Sequence, residues 1–317
     1  MRTTALLKGF LSIIILTYFA HNSIAQVKNP VINADFPDPT IVRFGDFYYA
    51  YATQGRSNIQ AARSADLQHW EMLPDVLPQK PVWASMHFWA PHVLYDPSLK
   101  KYVLFYSGES NDDKTAKCLG VAFADSPGGP FTDKGTPLLC GDGFINIDPM
   151  AIIDVKTGKK LLYWGSGFEP LKVQEMSDDW RTFKPGSMVK NVVWPKTENK
   201  YTRLIEGSWV DVQDGKYYIY YSGDNCCGDS ASYAVMVARA DNAFGPFTTY
   251  AKANDKGSSA ILEADSTWLA PGHNSIFTDV QGNKWIAYHA IDRKNPKKGR
   301  VMCLKRIRYV KGWPVVE

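Results

Sequence analysis

The sequence Tyr217-Tyr218-Ile219-Tyr220-Tyr221-Ser222-Gly223 consists mainly of aromatic residues and ends at a serine and a glycine. Aromatic and β-branched residues are enriched in β-strands, and glycine marks the turn that follows. A second run of similar character begins at Tyr233, and a Gly-Pro-Phe turn begins at Gly245. The segment therefore predicts two adjacent strands, then a turn and a short edge strand.

The same three-part pattern occurs five times along the chain. Its first strands begin at Phe47, Tyr102, Leu161, Tyr217 and Trp285. These starts lie roughly 55 to 70 residues apart, as the blades of a β-propeller do. In the third repeat the edge strand is expected at Trp180-Arg181-Thr182-Phe183. A β-sandwich remains an alternative, but it would not require the same pattern five times. The sequence predicts an all-β fold, a five-bladed β-propeller, as one catalytic domain over residues 26–317.

The first 25 residues differ from the rest of the chain. Arg2 and Lys8 precede an apolar run over residues 10–20, and Ser23-Ile24-Ala25 provides a small-residue cleavage site. The run is too short to span a membrane, so residues 1–25 are predicted to be a secretory signal peptide. A buried helix is the alternative interpretation. We expect an exported protein, periplasmic or extracellular, without a membrane anchor.

The composition of the 317-residue chain is that of a folded and nearly neutral protein. Hydrophobic residues make up 45% and charged residues 21%, which argues against disorder and allows a large core. The formal net charge is only +4. Because this charge is small and spread along the chain, nucleic-acid binding is not expected. The oligomeric state cannot be predicted from the sequence.

Five cysteines are available for disulfide bonds in an exported protein: Cys118, Cys140, Cys226, Cys227 and Cys303. An odd number leaves at least one thiol unpaired within the chain. We expect Cys118 and Cys140 to close a loop of the second repeat, the alternative being two buried thiols. The adjacent Cys226 and Cys227 can also pair, in a loop rich in Gly, Asp and Asn. A zinc site is not expected, because no CxxC pair occurs.

A polar or aromatic residue precedes the first strand of each repeat by about ten residues. These residues are Asp38, Trp89, Asp148, Glu206 and His273. In a propeller, residues at matched positions before each blade converge near the central channel. The sequence therefore predicts a pocket with three carboxyl groups and an imidazole, and with Trp89 at its rim.

Three carboxyl groups in an apolar pocket can carry out acid–base chemistry. Like charges that lie close together raise at least one pKa, so that one carboxyl stays protonated while another is ionised. Hydrolysis of a glycosidic bond requires such a pair, and Trp89 and Phe36 offer aromatic faces to a sugar. A single Asp-Pro is most often a turn, and a single histidine is most often structural. Their coincidence at matched positions favours the catalytic interpretation.

The chain resembles glycoside hydrolase family 43 over residues 28–317. The similar segments are Phe36-Pro37-Asp38-Pro39, Trp89-Ala90-Pro91, Ile147-Asp148-Pro149, Glu206-Gly207 and Pro271-Gly272-His273-Asn274. The resemblance implies a five-bladed propeller and an inverting mechanism. It also implies that Asp38 is the general base, that Glu206 is the general acid, and that Asp148 orients the acid and keeps it protonated.

The resemblance further implies the substrate class. It points to an enzyme that releases arabinose from plant cell-wall oligo- or polysaccharide, of the α-L-arabinofuranosidase or arabinanase type. A β-xylosidase and a galactan-acting hydrolase of the same family are alternatives. A non-catalytic carbohydrate-binding propeller is the alternative from another class, although it would not need all three acids.

Two further residues are candidates for the site. His273 matches a histidine that lies near the central cavity in the family, often beside calcium, so a Ca²⁺ ion is expected near it. A histidine hydrogen-bonded to Asp38 is the alternative. Arg300 begins a strand of the fifth repeat and is a candidate for binding a sugar hydroxyl. An arginine on the protein surface is the alternative there.

Overall fold

The five repeats form a closed ring of five sheets. The structure is a computed structural model that describes residues 27–112 and 114–317, so the predicted signal peptide over residues 1–25 lies outside the described residues. Within those two ranges the chain forms five antiparallel sheets. The inner strand of each sheet contacts the inner strand of the next, and the last contacts the first. The predicted five-bladed β-propeller is confirmed.

In every blade, the first four strands follow one another from the channel outwards in sequence order. The first blade contains β1 (Thr40–Phe44), β2 (Phe47–Ala52), β3 (Gln60–Ser64) and β4 (Glu71–Met72). The second contains β5 (Ala84–Asp96), β6 (Lys101–Ser110), β7 (Lys117–Ala124), β8 (Thr132–Asp133) and β9 (Leu139–Gly141). The third contains β10 (Met150–Ile153), β11 (Lys160–Trp164), β12 (Leu171–Glu175) and β13 (Lys190–Val193).

The last two blades carry the short helical segments. The fourth blade contains β14 (Ile205–Gln213), β15 (Lys216–Gly223), β16 (Ala234–Ala240), β17 (Thr248–Thr249), helix α1 (Tyr250–Asn254) and β18 (Ala260–Leu262). The fifth contains β19 (Trp268–Thr278), β20 (Lys284–Asp292), a 3₁₀ turn (Pro296–Lys298), β21 (Arg300–Val310) and β22 (Trp313–Val316). Strands β9 and β18 pair with β7 and β16, respectively, beside the short outer strands of their blades.

The prediction of an edge strand over residues 180–183 in the third repeat is wrong. The outer strand is β13, and residues 180–183 form a turn with a single bridge between Met176 and Phe183. Trp180 has a φ of 63° and is fully buried. Its indole Nε1 donates to Asp96 in the neighbouring blade at 2.7 Å. The aromatic residue therefore anchors a turn between blades instead of extending a sheet.

Apolar packing between the faces of neighbouring blades forms the core. Strand β15 is buried along nearly its whole length, because a strand covered on both faces needs a near-continuous apolar sequence. Large aromatic side chains such as Tyr106, Trp164 and Tyr221 are fully buried. Such close packing fixes the blades relative to one another, so that the strand ends around the channel are held in place.

The N-terminal segment joins the last blade to the first. The Asn29 side chain accepts from the Leu304 backbone N–H at 2.8 Å and donates to the Leu304 carbonyl at 2.7 Å. The Val31 N–H donates to the Met302 carbonyl at 2.9 Å. Val31 and Ile32 also belong to one apolar cluster with residues of β1, β20 and β21. The segment before β1 thus stabilises closure of the ring.

Two disulfide bonds are present in the described part of the chain. Cys118 on β7 pairs with Cys140 on β9, as expected, and Cys226 pairs with Cys227 in the loop after β15. Cys303 is a buried free thiol. Among the described residues, no helix has both the length and the apolar character needed to cross a membrane.

Candidate active site

Each blade has a left-handed residue within its inner strand or two residues before that strand begins. The five residues are Asp38, Ala90, Asp148, Gly207 and His273, with φ angles from 44° to 60°. Sequence spacing placed Trp89 and Glu206 at the matched positions, but they precede Ala90 and Gly207 by one residue. The number of residues from the left-handed position to the second strand differs between blades, so spacing from the next strand does not identify equivalent residues.

A cavity of about 330 Å³ opens beside these five positions. Its lining residues are Asp38, Thr53, Trp89, Phe144, Ile147, Asp148, Glu206, Cys226, Cys227, His273 and Arg300. The structure therefore brings together six of the seven residues that the sequence singled out for the site. The seventh, Phe36, is fully buried in the core shared by the first and fifth blades. Its predicted contact with substrate is wrong, because the core covers its ring.

Asp38 is held by side chains from three directions. Thr53 Oγ1 donates to Asp38 Oδ2 at 2.5 Å, and Arg300 Nη1 donates to Oδ1 at 3.0 Å. The Asp38 backbone N–H donates to His289 Nδ1 at 3.1 Å. His273 Nδ1 lies 3.4 Å from Asp38 Oδ1. The carboxyl group is therefore fixed in orientation beside the cavity.

These neighbours favour the ionised form of Asp38. Burial alone would raise its pKa, but the positive charge of Arg300, followed by the neighbouring His273, holds the pKa well below its usual value. Burial lowers the pKa of His289 to about 4, so its imidazole is neutral near neutral pH. A neutral Nδ1 can accept the Asp38 N–H, which agrees with the observed hydrogen bond.

Asp148 has the opposite electrostatic environment. Its backbone N–H donates to Ser107 Oγ at 3.0 Å, and its Oδ2 accepts from the Gly207 N–H at 3.1 Å. Burial, followed by the charges of Glu206 and Asp38, raises the pKa of Asp148 well above its usual value. The carboxyl cluster therefore keeps a proton at a pH at which isolated carboxyls have lost theirs. In a coupled pair such a proton belongs to the pair.

Glu206 has a hydrogen-bond donor on each carboxyl oxygen. Tyr233 OH donates to Oε1 and Ser166 Oγ donates to Oε2, each at 2.7 Å. Burial and the nearby Glu206 charge raise the pKa of Tyr233 well above its usual value, so the phenol stays protonated and donates. The Tyr233 ring stacks on His289 with centroids 5.6 Å apart. A β-carbon at Gly272 would overlap the Tyr233 ring, so glycine is required there.

One hydrogen-bond pattern joins neighbouring blades around the site. In four blades, the backbone N–H of the left-handed residue donates to a polar side chain of the preceding blade. This side chain belongs to the second strand of that blade or to the residue that follows the strand. The pairs are Asp38 with His289 (3.1 Å), Ala90 with Thr53 (2.8 Å), Asp148 with Ser107 (3.0 Å) and His273 with Ser222 (2.8 Å). In the fourth blade the Gly207 N–H donates to Asp148 instead, and Ser166 binds Glu206.

Aromatic side chains form one side of the cavity. Trp89 and Phe144 are nearly parallel, with centroids 6.1 Å apart. Lys117 Nζ lies 4.0 Å from the centre of the Trp89 ring and forms an ion pair with Glu109. Burial lowers the pKa of Lys117 to about 8. The arrangement holds the indole in place, so that it can present a flat apolar surface to a ligand.

His273 lies between the carboxyl groups rather than in a cluster of oxygen ligands. Its Nδ1 is 4.0 Å from Asp148 Oδ2, and a β-carbon at Gly207 would lie 3.1 Å from it. Over residues 27–112 and 114–317, no group of three or more His, Cys, Asp or Glu side chains could hold a metal ion. Calcium prefers oxygen ligands, so a Ca²⁺ ion near His273 would need mostly water ligands. It stays a prediction.

Sequence reasoning missed several residues that act on the three acids. They are Thr53, Ser166, Tyr233 and His289. Thr53, Ser166 and His289 each follow an aromatic residue of the second strand by one or two positions. A polar residue that closely follows an aromatic residue of the second strand was therefore the signal that could have found them. Tyr233 was identified only as the start of a strand.

Comparison with known proteins agrees with the fold and with the resemblance to family 43. The family model described as "Glycosyl hydrolases family 43" matches residues 27–314. The chain is 27% identical to "Extracellular endo-alpha-(1->5)-L-arabinanase 1" of Bacillus subtilis, over 87% of this chain and 86% of that protein. It is 25% identical to "Extracellular exo-alpha-(1->5)-L-arabinofuranosidase ArbA" of Cellvibrio japonicus, over 89% and 86%.

A solved structure supports the architecture. The α-L-arabinanase of Cellvibrio cellulosa, in complex with arabinohexaose, superposes with a TM-score of 0.77 at 22% identity, over 89% of this chain and 95% of that chain. At this identity the likeness concerns the fold alone. The family model, by contrast, spans nearly all of the described residues. The chain therefore belongs to glycosyl hydrolase family 43 and is an O-glycosyl hydrolase.

Proposed function

We propose that this hydrolase cleaves arabinan with inversion at the anomeric carbon. The observation that carries the proposal is that Asp38, Asp148 and Glu206 line one cavity in contrasting electrostatic environments. Asp38 is only 7% exposed and Asp148 only 5%, so their charges act on one another with little screening by solvent. Arabinan as the substrate is supported by the names of the two relatives.

Asp38 is the general base in this proposal. Its ionised carboxylate takes a proton from the water that attacks the anomeric carbon. Arg300 and Thr53 orient the carboxylate through the hydrogen bonds at 3.0 Å and 2.5 Å. Arg300 also lines the cavity, where its remaining N–H groups can bind a sugar hydroxyl. These contacts keep the base ionised, but they also make it a weaker proton acceptor, so orientation contributes much of its effect.

Glu206 is the general acid in this proposal. It donates a proton to the leaving glycosidic oxygen while water attacks from the opposite face. The hydrogen bond from the Gly207 N–H holds Asp148 beside Glu206. Negative charge on Asp148 would oppose loss of the proton that the two carboxyl groups share. Tyr233 and Ser166 hold the carboxyl group from both oxygens. Trp89 provides an apolar face for a sugar ring.

Export is part of the same proposal. Plant cell-wall polysaccharide is too large to enter a cell, and residues 1–25 have the pattern of a secretory signal peptide. The two relatives carry the word "Extracellular" in their names. The two disulfide bonds also suit an oxidising compartment. We therefore place the protein in the periplasm or outside the cell.

A substrate panel tests the proposed specificity. We expect release of arabinose or arabino-oligosaccharides from arabinan, with much lower rates on xylan and galactan. 4-Nitrophenyl α-L-arabinofuranoside and β-D-xyloside separate the two sugar types directly. The Asp38→Asn variant serves as the inactive control. Preferential cleavage of the xyloside or of galactan would replace the proposed substrate, and no cleavage of any member would contradict catalysis.

Substitution of the two acids distinguishes their roles. Asp38→Asn and Glu206→Gln should each lower kcat on arabinan by about 100-fold to 10,000-fold with the fold intact. An aryl arabinofuranoside with a good leaving group needs less protonation, so it should partly restore the rate of Glu206→Gln but not that of Asp38→Asn. Steady-state kinetics on both substrates give the comparison. Equal recovery of both variants would contradict the assignment.

Tyr233 should influence the general acid Glu206 through its hydrogen bond, without contacting the substrate. Removing its hydroxyl in Tyr233→Phe deletes one of the two hydrogen bonds that orient the Glu206 carboxyl group. The value of kcat on arabinan should therefore fall by about tenfold with little change in KM, which corresponds to ~1.4 kcal/mol. Tyr220→Phe is the matched control, because this buried tyrosine of the same blade bonds only Tyr309, at 2.8 Å. An unchanged kcat in Tyr233→Phe, or an equal loss in Tyr220→Phe, would argue against this role.

A further inference from the structure

The Cys226–Cys227 disulfide stands on the blade that carries Glu206. Within that blade, Glu206 on β14 pairs directly with Ser222 on β15. The chain leaves β15 at Gly223 and reaches the two cysteines a few residues later. The disulfide is therefore positioned by the same strand pair as the proposed acid. Any change in that loop acts on the acid side of the cavity.

Both cysteines belong to the wall of the cavity. Cys226 is half-buried and Cys227 is exposed. Most other lining groups are polar or charged, and the remaining apolar ones are Trp89, Phe144 and Ile147. These three come from β5 and from the segment before β10. The disulfide is thus the apolar surface that the fourth blade contributes to the cavity.

The loop around the disulfide is fixed by hydrogen bonds. Arg203 Nη2 donates to Asn225 Oδ1 at 2.8 Å, and the Ser232 N–H donates to the Asn225 carbonyl at 2.9 Å. The Asp224 N–H donates to the Leu204 carbonyl at 3.1 Å. A β-carbon at Gly223 would overlap the Tyr201 carbonyl, so the end of β15 packs directly on the segment before β14. The sulfur atoms therefore have a defined position before any substrate arrives.

We propose that the Cys226–Cys227 disulfide is a substrate-binding element that contacts the apolar face of a sugar on the acid side of the scissile bond. Sulfur is polarisable and packs well against C–H groups. A bond between adjacent residues holds both sulfur atoms in one orientation, whereas two thiols would rotate independently and would add polar S–H groups. This inference rests on the proposed function, since it takes arabino-oligosaccharide as the ligand.

A binding measurement tests the contact separately from catalysis. Isothermal titration of α-1,5-arabinotriose into the Asp38→Asn protein gives the reference affinity without turnover. Adding Cys226→Ser and Cys227→Ser should weaken binding by about tenfold, the scale for losing a small apolar contact in a pocket. The pair lies in a partly exposed loop, so the variant should fold, which thermal unfolding verifies. Equal affinity in the two proteins would overturn the proposal.

A reductant provides the matched control. Tris(2-carboxyethyl)phosphine with water reduces a disulfide to two thiols and becomes the phosphine oxide. Both proteins retain Cys118–Cys140, so only the Asp38→Asn protein with intact Cys226 and Cys227 should lose affinity on reduction, to the level of the serine variant. Intact mass counts the disulfides in each sample. A loss of affinity in both proteins, or in neither while Cys226–Cys227 is reduced, would contradict the proposal.

The outcomes also separate this inference from the proposed function. If the Asp38→Asn protein does not bind arabinotriose and the wild type does not cleave arabinan, the proposed function is wrong, and the inference is wrong with it. If the reference protein binds arabinotriose and the serine variant binds equally well, only the role of the disulfide is wrong. Free thiols at Cys226 and Cys227 in the oxidised protein would also overturn it.

Discussion

The backbone N–H of the left-handed residue in each blade needs a hydrogen-bond partner, and the rest of the site depends on how each blade supplies one. A buried N–H without a partner is strongly disfavoured. Four blades use a side chain from the second strand of their neighbour, or from the residue that follows it. In the fourth, the Gly207 N–H binds Asp148, and the side chain just after the second strand of the third blade, Ser166, binds Glu206. The fourth blade, which departs from this hydrogen-bond pattern, is therefore the blade in which Asp148 is linked to the segment that carries Glu206.

Equivalent backbone positions give Asp38 and Asp148 opposite proton affinities. Both residues are buried and left-handed, so burial alone would raise the pKa of both. The difference comes from their neighbours, because Arg300 approaches Asp38 at 3.0 Å whereas Glu206 faces Asp148. Side chains of the fourth and fifth blades thus make equivalent positions of a symmetric scaffold different. Asp38 is ionised, whereas Asp148 and Glu206 together keep a proton.

The repeat pattern predicted the fold because aromatic and β-branched runs are typical of strands that are buried on both faces. It also predicted the three acids, because each precedes the first strand of a repeat by about ten residues. It failed where one residue changes direction. Glu206 stands one residue before the left-handed Gly207 rather than at the position that corresponds to Asp38, and Phe36, two residues before Asp38, points into the core. Tyr233 was missed because an aromatic residue at the start of a strand looks like core, and only the folded chain brings its hydroxyl to Glu206.

The central claim is that Asp38 and Glu206 act on opposite faces of the sugar, with a water molecule between Asp38 and the anomeric carbon. The most direct test is proton NMR of the first product during hydrolysis of an α-L-arabinofuranoside, before mutarotation mixes the anomers. The account predicts that β-L-arabinofuranose appears first. Initial formation of the α-anomer would contradict it, because retention requires a covalent intermediate on a nucleophilic carboxylate about 5 Å from the acid.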